Sequence, residues 1–193
     1  MGLTPVPDGH VAAIVTSLEM KARPLPKPVP ASPLKLVRWH AADAAKYRTL
    51  FARVGAPWLW FSRLILDDNA LLAIIGAPQV DVYAVTDPSG IEVGILELDF
   101  REAGQAEIAF FGLVPELSGK GFGRWLMAET LARAWRKDVI RVWVHTCTLD
   151  APGALGFYRA LGFIPYQRQI EIFADPRLTD AFSSESAPQV PML

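Results

Sequence analysis

Residues 106–125, AEIAFFGLVPELSGKGFGRW, constrain this chain more than any other stretch. An apolar run with strand character ends at Val114, and residues 115–118 make a short linker. Gly119-Lys120-Gly121-Phe122-Gly123-Arg124 follows, and a helical pattern starts at Trp125. A strand that feeds a glycine turn into a helix leaves backbone N–H groups unpaired at the helix start, and glycines let a ligand approach them closely. The stretch therefore reads as an anion-binding turn inside an α/β fold.

Three phosphate-binding patterns compete for it. A Walker loop needs a glycine four residues before Gly-Lys and then Ser or Thr, but Val114 and Gly121 stand at those places. A dinucleotide fingerprint needs Gly-x-Gly-x-x-Gly in a first βαβ unit, whereas Gly119, Gly121 and Gly123 alternate and follow several strands. The third pattern depends on the surroundings of the loop.

Upstream, His10 to Leu18 is β-branched enough for a strand, and the proline run 24–30 reads as an extended connector. Residues 34–38 suit a short strand. Tyr47, Leu50, Phe51 and Val54 give residues 41–54 a helical period, and a second helix is expected over 67–75 before Gly76 and Pro78. Strands are expected over 80–86, 91–100 and 106–114, joined by Asp87-Pro88-Ser89-Gly90 and by Ala103-Gly104-Gln105, an antiparallel meander. Beyond the loop, the expectation is a helix over 125–137, with Arg133, Arg136 and Lys137 near its C-terminal dipole. A strand over 139–147 follows, then a helix capped by Asp150 and ended by Gly162, and a last strand over 163–173. These elements divide the chain into a proline-rich arm with one strand (1–33), a single domain (34–173) and an irregular tail (174–193).

Composition narrows the function. A formal net charge of -1 argues against electrostatic binding to nucleic acid. One cysteine, Cys147, leaves neither an internal disulfide nor the paired cysteines of a zinc motif, so no metal is expected. No apolar run approaches the ~18–20 residues of a membrane span, and the first residues lack a signal-peptide pattern. A cytoplasmic protein without a membrane partner is expected.

The run from Glu107 to Gly123, with Ala154-Leu155-Gly156-Phe157-Tyr158-Arg159-Ala160-Leu161-Gly162-Phe163 after it, resembles the GNAT family, the GCN5-related N-acetyltransferases. The family's pyrophosphate motif, Gln/Arg-x-x-Gly-x-Gly/Ala, reads Ser118-Gly119-Lys120-Gly121-Phe122-Gly123 here. Its second motif places Tyr four residues before Gly-Phe, as Tyr158, Gly162 and Phe163 stand. The resemblance covers roughly residues 80–173. Two positions depart from it: Ser118 replaces the opening Gln or Arg, and Ala151 replaces an Asn before the second motif.

The resemblance implies a mixed, mostly antiparallel α/β sheet flanked by helices. It also implies acetyl-CoA as acyl donor and a small amine or peptide as acceptor, and it leaves a homodimer open. The donor would bind at Phe111, Gly112 and Leu113 along the strand and at Ser118, Gly119, Lys120, Gly121, Phe122, Gly123 and Arg124 in the loop. Glycine at 112 is read as room for close approach.

Transfer from a thioester to an amine needs a proton acceptor for the amine and a donor for the leaving thiolate. Glu107, in an apolar strand, is the first candidate base, with Glu97, Asp99 and His145 as rivals. Tyr158 is the candidate acid. Trp58, Trp60, Phe61 and Arg63 fall where the family builds its acceptor pocket, and aromatic walls with one Arg suit an amine that also carries a carboxylate. Cys147 lacks an activating partner beyond His145, which favours direct transfer. A non-catalytic acyl-CoA-binding module and a nucleotide-binding protein are the other readings, the first drawing on Ser118 and Ala151.

Overall fold

Buried side chains recur at helical spacing on α1 (Ala44–Gly55), where Tyr47, Leu50, Phe51 and Val54 all face inward. The carboxylate of Asp43 caps this helix at Lys46 N, and that of Asp67 caps α2 (Asp68–Ile75) at Ala70 N. Each satisfies one of the donors that a helix start leaves unpaired. The structure, a computed structural model, describes residues 2–25, 28–179 and 181–192. Part of the expected proline connector, Pro26 and Lys27, lies outside the described residues.

Seven strands form one mixed sheet: β1 (His10–Met20), β2 (Lys35–Arg38), β3 (Val80–Thr86), β4 (Glu92–Asp99), β5 (Gln105–Leu113), β6 (Arg141–Cys147) and β7 (Ile164–Ala174). Their spatial order is β2-β3-β4-β5-β6-β1-β7. The meander β3-β4-β5 forms as its turns require, and among the described residues only β5 and β6 pair in parallel. The N-terminal strand is an interior strand. It runs antiparallel to both neighbours, with Leu18 opposite Val144 on one side and Ile14 opposite Ile170 on the other.

Alternation along the strands sends side chains to two cores. Ile95 joins Tyr47, Phe51, Val54, Leu71 and Ile75 beneath α1 and α2. Leu96 and Leu98 join Leu18, Val142 and Val144 beneath α3 (Phe122–Ala134) and α4 (Ala154–Ala160), which contribute Met127, Ala134 and Tyr158.

Helix α3 begins three residues earlier than the sequence pattern suggests, because Gly121 at φ 84° caps it directly. It also ends earlier, at Ala134, so only Arg133 lies in its last turn. Arg136 is drawn away instead, to the Asp81 carboxylate and over the Phe100 ring at 3.4 Å from the centroid. Asp150 does not cap α4: the N-cap is Gly153, and the Asp150 carboxylate accepts from Cys147 N and Thr146 Oγ1. The tail packs irregularly around the buried Arg177, which pairs with Asp175 at 2.7 Å and donates to the carbonyl of Val190 at 2.8 Å.

Candidate active site

One register fact shapes the site. Strands β5 and β6 pair only at Gln105–Arg141, Ala106–Val142 and Glu107–Trp143, and then they part. Strand β4 holds β5 as far as Leu113, while β1 holds β6 as far as Cys147, so each arm of the fork stays in a sheet half of its own. The extra residue that starts the divergence is Ala109: Leu98 lies opposite Ile108 and Glu97 opposite Phe110, which leaves Ala109 unmatched. A bulge of this kind bends its strand and redirects its edge. Beyond it, among the described residues, the β5 backbone presents an edge with no strand beside it on the β6 side, able to pair with an extended ligand.

A cavity of about 730 Å³ fills the fork. Of the expected donor-binding residues, Phe111, Gly112, Leu113, Ser118, Gly119 and Gly123 line it, as do the candidate acid and base, Tyr158 and Glu107. Lys120, on the loop, and Arg124, in the first turn of α3, are exposed and line neither this cavity nor its smaller neighbour, and Phe122 packs on the first core. Gly121 stands at the start of α3, and Gly119 shares its left-handed backbone with φ 72°. A Cβ at either position would meet nothing within 4 Å, so conformation rather than space calls for glycine there.

Gly112 has the opposite reason. A Cβ there would meet Val54 Cγ1 at 2.7 Å and Trp60 Cη2 at 2.9 Å. Its missing side chain makes room for α1 and Trp60 to pack on β5, so the reading of Gly112 as space for a ligand is corrected.

Tyr158 sits among Phe111, Phe157 and Phe163, with edge-to-face contacts to Phe111 and Phe163 at centroid distances of 6.3 and 5.8 Å. No hydrogen bond engages its hydroxyl among the described residues. Burial, with the Asp150 carboxylate adding to it, pushes this phenol well above its ordinary pKa, so it keeps its proton throughout the working range.

The rival bases separate cleanly. Glu97 is fully buried and engaged: Tyr47 Oη donates to it at 2.5 Å and Arg63 Nη2 at 2.7 Å, and it does not line the cavity. Burial, reinforced by Glu97, raises the Tyr47 pKa, while Glu97 raises that of Arg63 against the opposing effect of burial. Asp99 does face the cavity, but Arg101 grips both its oxygens and holds its carboxyl below the usual range against the pull of burial.

Glu107 and His145 face each other across the mouth of the fork, with Nδ1 and Oε1 3.7 Å apart. Glu107 raises the His145 pKa, and Asp150 and Glu171 add to this at longer range, outweighing burial. Cys147, two residues on, has its thiol pushed up to about 11 by burial and then by Asp150, so it carries little thiolate near neutral pH.

Trp58, Trp60, Phe61 and Arg63 all line the cavity as an acceptor wall would. Trp60 Nε1 donates to Asp150 at 3.1 Å, which ties the segment after α1 to the turn after β6. Phe61 stacks on Phe173 of β7 at 4.5 Å. The Arg63 guanidinium is held by Glu97, so it is not free to meet a substrate carboxylate. Sequence reasoning missed Phe173 and Glu171, which reach the cavity only because β7 pairs with β1.

The sequence model of the family described as the acetyltransferase (GNAT) family matches residues 35–163. A GCN5-related N-acetyltransferase from Sphaerobacter thermophilus superposes with TM-score 0.59 at 16% identity, over 86% of this chain and 53% of that one. A tandem GNAT protein from the clavulanic acid biosynthesis pathway gives 0.60 at 19% identity, over 88% and 54%. An aminoglycoside acetyltransferase from an uncultured soil metagenomic sample gives 0.54 at 22%, over 67% and 88%. At these identities the likeness is one of fold, and the chain spans about half the length of the first two proteins. No curated protein matches the sequence.

Proposed function

The chain belongs to the acetyltransferase (GNAT) family, and from that premise we propose that it transfers an acetyl group from acetyl-CoA to a primary amine by direct attack. The observation that carries this reading is the fork between β5 and β6, which joins an unpaired strand edge, a glycine turn at a helix start and a buried phenol in one cavity.

Acetyl-CoA supplies the activated acyl group. The β5 edge at Phe111–Leu113 is suited to the extended pantetheine arm, and the backbone N–H groups of the Gly119–Gly123 turn to its pyrophosphate, those of Ser118 and Arg124 donating to the Pro115 and Gly121 carbonyls. With Ser118 in place of Gln or Arg, that binding falls to backbone donors, and the expected result is weaker affinity. Glu107 and His145 stand together where the acceptor amine loses its proton. Tyr158, protonated and without another partner among the described residues, donates to the thiolate as it leaves. The raised pKa of Cys147 supports direct attack over a covalent relay.

The experiment is a titration of the protein with acetyl-CoA, followed by measurement of free CoA with a panel of amines, amino acids, polyamines and peptides. Binding with amine-dependent CoA release is the expected result. Binding without release from any acceptor would make the protein a non-catalytic acyl-CoA module. A larger rise in melting temperature with ATP or NAD than with CoA would make it a nucleotide binder.

A further inference from the structure

From the charges that line the fork we infer that the acceptor is an amine with a second cationic centre, a linear diamine or oligoamine, and not an amino acid. The inference rests on the acetyl-transfer reading above and specifies its acceptor.

The main cavity does not stop at Glu107. A second cavity of about 330 Å³ shares Asp99, Arg101 and Glu107 with it and is completed by Glu102, Gln105 and Trp143. Strand register builds the shared wall: Asp99 of β4 lies opposite Glu107 of β5, which lies beside Trp143 of β6. Residues directly paired across strands point to the same face, so an acid, an acid and an indole stand in one row. A chain molecule whose reacting amine lies beside Glu107 and His145 can extend along this row into the second cavity.

The two walls are unequal in charge. Among the described residues that line them, the fixed cations are Arg63 and Arg101, and both are committed, to Glu97 at 2.7 Å and to Asp99 at 2.5 Å. Four carboxylates have no such cation. Among the described residues the one ion-pair partner of Glu107 is His145. Asp150 accepts from the neutral donors Trp60, Thr146 and the Cys147 amide. Glu102 accepts from the Gln105 side-chain amide, and Glu171 has no side-chain partner among the described residues. Glu102 and Glu171 are exposed and Glu107 and Asp150 half-buried, and carboxylates gathered round a concavity attract cations, exclude anions and repel one another less once a cation binds. The aromatic wall at Trp58 and at the Phe61–Phe173 stack suits both a methylene chain and an ammonium group. A carboxylate-bearing acceptor finds no free cation in either cavity.

The test compares three acceptors of similar length: the diamine cadaverine, the monoamine pentylamine, and ε-aminocaproate. With saturating acetyl-CoA, kcat/KM for cadaverine is expected to exceed that for pentylamine about tenfold, with ε-aminocaproate lowest. Glu102→Gln and Glu171→Gln are each expected to narrow the cadaverine-to-pentylamine ratio through KM, and added salt to narrow it in the parent protein. Equal values for cadaverine and pentylamine, or a preference for ε-aminocaproate, would overturn the inference and leave acetyl transfer standing. If no acceptor releases CoA, acetyl transfer fails instead. Calorimetric titration of the same three compounds then reads the charge preference alone: tighter cadaverine binding upholds it and equal affinities overturn it.

Discussion

Glu97 and Glu107 sit on neighbouring strands of one sheet, and each is a carboxylate in an otherwise apolar run. Glu97 lies inside, with Tyr47 on one oxygen and Arg63 on the other. Glu107 is about a quarter exposed, has His145 as its one ion-pair partner among the described residues, and opens onto both cavities. Strand alternation puts both on the α1 side of the sheet. Their surroundings decide what each can do: a carboxylate with both oxygens engaged holds the structure together, and one with free lone pairs can take a proton or a cation.

That contrast breaks most visibly in stability. Arg63→Met leaves Glu97 charged, buried and short of its cation, which is expected to cost about 3–5 kcal/mol. Glu107→Gln removes no committed partner and is expected to stay within about 0.5 kcal/mol of the parent. Denaturant midpoints for the two variants check this. Equal losses would mean that the two carboxylates do not differ in the way their partners indicate.

Two buried tyrosines extend the contrast. Tyr158→Phe removes a hydroxyl that no side chain of the described protein uses, so turnover should fall about a hundredfold with acetyl-CoA affinity nearly retained. Turnover equal to that of the parent would end the role of Tyr158 as proton donor. Tyr47→Phe removes a donor to Glu97 and should cost about 1–3 kcal/mol of stability. Thermal unfolding of the pair, read beside single-turnover rates, separates the structural phenol from the chemical one.

What the sequence disclosed follows from how local each cause is. The strand over 80–86 matches β3 residue for residue, and the caps at Asp43 and Asp67 bound α1 and α2 close to where spacing placed them. Those signals lie within one turn or one pleat. The start of α3 was displaced because Phe122 and Gly123 look like loop residues, yet Gly121 in the left-handed region turns the chain straight into the helix. The strand nature of β1 was legible, but its place between β6 and β7 was not, since pairing across more than 120 residues leaves no local pattern. The motifs made legible that Ser118, Gly119, Gly123 and Tyr158 belong together, and all four line one cavity. The separation of Glu97 from Glu107 was not, because the partners of Glu97 lie 50 and 34 residues away in sequence.

The finest distinction concerns what Glu107 does for its neighbour. His145 has a pKa above its ordinary 6.5, and the largest cause is the Glu107 carboxylate. Protonated imidazole cannot accept the amine proton, so with His145 as the acceptor the rate is low in acid and climbs as pH rises through the raised pKa. Glu107→Gln removes the negative charge that favours the protonated form, and the climbing limb then moves to lower pH, back toward 6.5. Tyr158 does not disturb this reading, because its own pKa is driven upward and away from the range in question. If Glu107 itself takes the proton, the same variant instead loses rate at every pH and does not shift the limb. His145→Gln completes the comparison: it abolishes the limb in the first case and leaves most of the rate in the second. A pH–rate profile of kcat/KM for the two variants, taken at saturating acetyl-CoA, therefore assigns the proton to one side of a 3.7 Å gap.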